Sequence, residues 1–207
     1  IRTMQMLDHF GIPVPKTVVL KDSGLLAEAA QEFRYPIIIK AVYGTHGRGV
    51  FLAESKRSLK PIVEYLTAKE KGPVFIQEYI AEAKGKDLRV FVLGKKIVAA
   101  TERFAKGGEF RANFSIGGGL QNVVLTKEEK DVSKRAAQVL NLDIAGVDIL
   151  RTKTGPKVIE VNSNPGITSI EKGSGINVTE KLVNFIEHRV EKYGKNRKPL
   201  KKRAMKE

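Results

Sequence analysis

The sequence predicts an α+β fold built as two lobes. Apolar runs such as "PIIIK", residues 36–40, and "VFIQEYI", residues 74–80, are too short for helices and rich in β-branched residues, so they read as strands. Amphipathic segments opened by Asp, Ser or Thr lie between them and read as helices. The two kinds alternate through the first third of the chain, whereas the remainder carries strands joined tightly into hairpins. We therefore place a first lobe over residues 1–76, a second over 77–191 and a basic, disordered tail over 192–207. No internal repeat is visible.

In chain order, residues 3–10 form a short amphipathic helix stopped by Gly11 and the Pro13, Pro15 pair. Residues 16–20 form a strand, and Asp22 or Ser23 caps a helix that runs to Phe33. A strand over 36–40 ends on Lys40, a glycine loop follows, and a second strand covers 50–53. A helix fills about 58–70. Strands over 88–93 and 96–103 meet at Gly94. The stretch 107–119 is glycine-rich, basic and too long for a tight turn, as befits a substrate loop. Thr126 caps a helix over 127–140, with Glu128 and Glu129 in the first turn where the helix dipole favours acids. A second hairpin pairs 144–150 with 157–161 around Thr154-Gly155, and a closing helix spans 178–193.

At 207 residues with 42% apolar content, the chain can bury a real core. Cysteine is absent, which excludes disulfides, thiolate catalysis and cysteine-ligated metal. No run is long enough to span a membrane and no secretory signal opens the chain, so a cytoplasmic location is expected. The chain begins at Ile1 and its first residues already read as helix, which suggests removal of something upstream. The formal net charge is +14, and residues 192–207 hold eight Lys/Arg against Glu207, half of the excess. Such a tail either solubilises the protein or docks an acidic partner. The rest remains basic, which suits an anionic substrate as well as a nucleic-acid backbone. Nucleic acid is the weaker expectation, because the chain has no Trp and its aromatics sit at core-type positions.

The chemistry concentrates in a few places. After Lys40, the segment Gly44-Thr45-His46-Gly47-Arg48-Gly49 lets backbone N–H groups approach a ligand, phosphate above all. It fits neither the Walker nor the dinucleotide pattern, because another strand follows Gly49. It reads as a flap. If the second hairpin turns on Thr154, Asp148 lies opposite Glu160, with Asn162 on the same face, and like charges so placed are either held by a cation between them or part of a polar hairpin face balanced by lysines. Two carboxylates and an amide oxygen are hard ligands suited to Mg²⁺. Gln77, Glu78 and Tyr79 lie at the seam between the lobes, either as an ordinary strand end or as a border for an adenine. Asp87 and Arg89 share a strand face, either as a surface ion pair or as part of a site. Arg103, Arg111 and Asn113 lie at a strand end and in the glycine-rich loop, where guanidinium forks could stabilise a transferring phosphoryl group; taken singly, each arginine reads as solvated. His9, His46 and His188 lack metal-ligand spacing.

The order of these motifs resembles the ATP-grasp superfamily. The wording "FIQEYI", "KDLRVFV", "AATERFAKGGEFRANFSIGGG", "AGVDIL" and "EVNSNPG" resembles its RimK branch from about residue 3 to 190. The resemblance implies two lobes with ATP between them. It also implies an ATP-dependent ligase that joins a carboxylate to an amine through an acyl phosphate, with L-glutamate as the amine and a protein, peptide or cofactor as acceptor. Close relatives serve lysine, arginine and cofactor biosynthesis. By the resemblance, Lys40 contacts the α and β phosphates under the flap Gly44, Thr45, Gly47 and Gly49. Gln77, Glu78 and Tyr79 border the adenine, Asp87 takes the ribose, and Arg103, Arg111 and Asn113 face the reacting phosphate. Asp148, Glu160 and Asn162 hold Mg²⁺, with Mn²⁺ as a substitute. Family members carry a domain before this region and a phosphate-binding lysine at about the position before Ile1, so the acceptor site is expected to be open. The alternatives are a nucleotide-binding remnant without turnover and a basic nucleic-acid-binding module. Self-association into a homo-oligomer is left open.

Overall fold

A four-stranded and a five-stranded sheet, both antiparallel, account for the two lobes. The computed structural model describes residues 1–41, 49–70, 72–83, 85–107, 109–112 and 117–196. Among these residues no helix is long and apolar enough to cross a membrane.

The first sheet joins β1 (Thr17–Leu20), β2 (Ile37–Ala41), β3 (Val50–Ala53) and β4 (Val74–Glu78) in the order β1-β4-β2-β3. Alternation along these strands sends Val18, Leu20, Ile37, Ile39, Val74 and Ile76 under α2 (Leu26–Gln31) and α3 (Lys56–Glu70). The opposite face carries Thr17, Lys40 and Gln77. Asp22 accepts the Gly24 N–H and starts a short 3₁₀ turn ahead of α2. Between β2 and β3 the backbone closes through Ala41 N–H donating to the Gly49 carbonyl. Gly49 has φ +85°, a conformation that side-chain-bearing residues rarely adopt. The expected flap residues Gly44, Thr45 and Gly47 lie outside the described residues.

The second sheet runs β7-β6-β5-β8-β9, from β5 (Lys86–Leu93), β6 (Lys96–Phe104), β7 (Gly119–Asn122), β8 (Ile144–Thr152) and β9 (Gly155–Asn162). Leu88, Val90, Val92, Val147 and Ile149 face α4 (Lys127–Val139). Thr126 and Glu129 close a capping box at the start of α4, each side chain bonding the other's backbone N–H. On the other sheet face β5 is divided: Phe91 and Leu93 pack under α5 (Ile167–Ser174) and α6 (Val178–Asn196), while Asp87 and Arg89 stay clear of that core.

Packing divides the chain differently from the expected boundary at residue 76. β4 continues in the first sheet to Glu78, and α1 (Arg2–His9) belongs to the second lobe, with Leu7 and Ile12 fully enclosed in its core. The Pro13 carbonyl accepts from Val158 N–H at 2.8 Å and ties this entry to β9. The first lobe is thus an excursion between two passages of chain through the second. Residues 192–196, expected in the tail, complete α6; the remaining tail residues lie outside those described.

Two of the strands and α-helices have no counterpart in the sequence reading, β7 and α5, and neither has the short 3₁₀ turn Ala81–Ala83. α5 comes down on the sheet where Gly173 meets Thr101, so closely that a Cβ there would sit 2.0 Å from the Thr101 hydroxyl oxygen. The turn before α5 is seated the same way: a Cβ on Gly146 would come within 2.6 Å of the Pro165 Cβ. Gly146→Ala is therefore expected to destabilise the protein by about 1–3 kcal/mol through overpacking. Urea denaturation of the variant checks this, and an unchanged midpoint would mean that the turn yields freely.

Candidate functional site

The free face of the first sheet and the charged half of the second line one seam. Across the second sheet the register aligns a row of charges: Arg103 stands opposite Asp87, Asp148 opposite Arg89, and Glu160 opposite Asp148. Strand neighbours in register lie within side-chain reach, so the row becomes a network. Arg103 Nε and Nη2 donate to Asp87 Oδ1 and Oδ2 at 2.6 and 2.7 Å, and Nη2 also reaches Asp148 Oδ2 at 2.8 Å. Arg89 grips Asp148 from the other side, with Nη2 to Oδ2 at 2.6 Å and Nε to Oδ1. Asp87, Arg103 and Asp148 are all buried.

Two carboxylates and two guanidiniums balance in formal charge but not in local field. Burial raises the Asp148 carboxyl, yet Arg103 and Arg89 outweigh it and hold this carboxyl below the usual aspartate range. Among the described residues Asp87 has only Arg103 as a cation in contact; it feels Asp148 as a like charge and is pushed up to about 6, burial being the largest cause. Glu160 is likewise raised, by burial first and then by Asp148. Neither Glu160 nor the Asn162 amide has a hydrogen-bond partner among the described residues. Arginine donors occupy three of the roughly four acceptor positions on Asp148, leaving one on Oδ1. Asp148, Glu160 and Asn162 together are a set of hard oxygens that fits a small divalent cation. No cluster of three or more His, Asp or Glu side chains does so among the described residues.

The expected pairing of Asp148 with Glu160 holds, although the turn differs. Thr152 pairs with Gly155, so the turn is centred between Lys153 and Thr154, half a residue earlier than expected. The register shifts between Asp148 and Ile149, leaving Ile159 as the extra residue on β9, and this bulge brings Glu160 opposite Asp148 after all.

Lys40 projects from the first sheet, and its ammonium donates to Gln77 Oε1 at 2.7 Å. Burial lowers its pKa, while Glu160, Asp148 and Asp87, all on the second sheet, act in the opposite sense. Gln77 is buried and Glu78 is engaged: its carboxylate accepts from Lys16 N–H at 2.9 Å and from Lys157 Nζ. Glu78 and Tyr79 line a cleft of about 940 Å³ with Glu82, Arg151, Lys153 and Lys157. Of the two readings of Asp87 and Arg89, the mutual surface ion pair does not form, because each side chain turns to a neighbouring strand instead. Arg111 is held by Glu109, at 2.7 Å from Nη2 to Oε2, and draws that carboxyl down to about 2. Asn113 lies outside the described residues. Sequence reasoning missed Arg89 as a partner of Asp148 and Lys157 as a partner of Glu78; the alternate spacing of Asp87 and Arg89 with the sheet register was the signal for the former.

A family model described as a RimK-like ATP-grasp domain matches residues 1–186. Among curated proteins, the chain is 43% identical over 191 residues to "Probable alpha-L-glutamate ligase 1" of Shewanella frigidimarina (strain NCIMB 400), covering 92% of this chain and 63% of that protein. It is 40% identical over 185 residues to "Probable alpha-L-glutamate ligase" of Histophilus somni (strain 2336), covering 89% and 62%. The chain thus spans less than two thirds of these relatives. Among solved structures it resembles the ATP-grasp ligase PsnB complexed with a phosphomimetic variant of its minimal precursor, Mg and ADP. That match has TM-score 0.70 and 23% identity, over 90% of this chain and 57% of that one. It also resembles the D-alanine--D-alanine ligase from Bacillus anthracis, with TM-score 0.72 and 21% identity over 93% and 67%. The fold is the ATP-grasp fold.

Proposed function

The chain belongs to the RimK-like ATP-grasp family, and from that premise we propose that it is the nucleotide-binding and catalytic part of an ATP- and Mg²⁺-dependent carboxylate–amine ligase. The observation that carries the reading is the seam itself. A lysine on one sheet faces Asp87, Asp148 and Glu160 on the other, and the side chains of Glu160 and Asn162 have no hydrogen-bond partner among the described residues. Bound Mg²⁺ would supply a counter-charge to the nucleotide phosphates, and Asp148, Glu160 and Asn162 are the residues to hold it. Lys40 would donate to the α and β phosphates beneath the flap of Gly44, Thr45, Gly47 and Gly49. Gln77, Glu78 and Tyr79 border the nucleotide, and Asp87 fixes Arg103. Arg103, with Arg111 and Asn113, would stabilise the phosphoryl group as it passes to the acceptor carboxylate.

In that reaction the acceptor carboxylate oxygen attacks the γ-phosphorus, the bond to the β-phosphate bridging oxygen breaks, and ADP leaves. The amine of the amino acid then attacks the acyl carbon; an amide forms, phosphate departs and the amine proton is lost to solvent. The protein's work is positioning and electrostatics. The names of the relatives favour L-glutamate as the amine, and a peptide acceptor is in keeping with the PsnB precursor complex. ADP release at saturating Mg-ATP is therefore expected to require both glutamate and an acceptor, here a peptide ending in glutamate, with a mass gain of one glutamyl residue on the peptide. ATP binding without release under any amino-acid pairing would overturn the ligase reading.

A further inference from the structure

We propose that Thr17 and Gln77 are positioning residues that hold Lys40 in its phosphate-facing pose through a one-way hydrogen-bond relay. The inference rests on the reading of Lys40 as a nucleotide contact and deepens it. The relay starts at the backbone: the Thr17 hydroxyl donates its single proton to the Pro15 carbonyl at 2.8 Å. With that proton committed, Thr17 Oγ1 can only accept from a second neighbour. That neighbour is Gln77 Nε2, at 2.8 Å. The amide of Gln77 is thereby oriented with its carbonyl away from Thr17, toward the Lys40 ammonium at 2.7 Å. A flipped amide would set its NH₂ against the ammonium and its carbonyl against a hydroxyl oxygen with no proton to give.

Topology makes the relay possible. Gln77 sits on β4 between Thr17 of β1 and Ile38 of β2, in register with both, and is 5% exposed. Lys40 lies two residues along β2 from Ile38 on the same face. Among the described residues no carboxylate lies within salt-bridge reach of Lys40. The contact acceptor is thus neutral: it fixes the direction of the ammonium without cancelling the charge that a phosphate would meet. A carboxylate in that place would leave the arriving anion to compete with it. Thr17 acts only through Gln77, and Gln77, besides its place beside the nucleotide, acts on the phosphates through Lys40.

The test uses Mg-ATP binding to the whole chain by titration calorimetry, on variants shown to be folded by circular dichroism. Thr17→Val removes the hydroxyl at nearly constant size and frees the Gln77 amide to turn. It is expected to weaken ATP binding roughly tenfold, the worth of one hydrogen bond to a charged group. Thr17→Ser keeps the hydroxyl and is expected to bind within about twofold of the unaltered protein. Wild-type affinity in Thr17→Val, or equal weakening in Thr17→Ser, would overturn the relay. Lys40→Met separates this from the underlying reading: unchanged ATP affinity there would remove Lys40 from the nucleotide site and the relay with it. Lost affinity in Lys40→Met together with an unaffected Thr17→Val would sink the relay alone.

Discussion

Arg103→Met is expected to cost about 3–5 kcal/mol of folding stability at pH 7.5, the range for breaking a buried ion pair by removing one partner. Among the described residues Arg103 is the only cation in contact with Asp87, and it is one of two on Asp148. The variant therefore strands Asp87 in a buried position, whereas Asp148 keeps Arg89. The pH dependence identifies the stranded charge. Asp87 is already raised to about 6 in the folded protein. An acid with a raised folded pKa binds its proton more tightly folded than unfolded, so its ionised form opposes folding above that pKa. The penalty disappears below the ordinary aspartate value. Without Arg103 the folded pKa moves up further, and the loss should be smaller at pH 5 than at pH 7.5. Urea denaturation at both pH values checks this; equal losses would place the damage elsewhere than at Asp87.

Glu160→Gln is expected to lower glutamate-dependent ADP formation by at least about a hundredfold, with no loss of stability in the metal-free protein. Among the described residues Glu160 has no cation in contact, and it stands opposite Asp148, which raises its pKa in concert with burial. By the same sign, its charge opposes folding above its raised pKa and is harmless below the usual glutamate range. Glutamine keeps the shape and removes the charge, so the metal-free variant should be as stable as the parent or more so at neutral pH. Retained turnover would remove Glu160 from the metal set, and a marked fall in metal-free stability would mean that it has a structural partner.

The strands and most helices were legible because local pattern decides them: three consecutive isoleucines before Lys40, the Thr126–Glu129 cap, the apolar runs around Gly94. α5 was not. Its N-cap is Gly166, which offers no side-chain bond, and it holds Gly173 near its end, so its helicity comes from packing Ile170 and Gly173 on the sheet. β7, Gly-Leu-Gln-Asn, has no strand signal of its own and exists through pairing with β6. At the site, Asp148 and Glu160 were found opposite one another because a bulge compensated a turn placed half a residue too late. The Asp87–Arg103 and Arg89–Asp148 pairs were illegible for a different reason. Residues two apart on a strand are farther from each other than from their cross-strand neighbours, and which neighbours those are depends on the register of β6 and β8, which local sequence does not fix.

The two passages of chain between the lobes are bonded to each other where they cross. Glu78 N–H donates to the Lys16 carbonyl at 2.9 Å, and the Glu78 carboxylate takes the Lys16 N–H. The Glu78 carboxylate also takes Lys157 Nζ of β9, so both passages are fastened to each other and to the second sheet at the same place. The bonds at Lys16 and Glu78 thus fix where the first sheet meets the second, with Lys40 on the side of the Asp148 row.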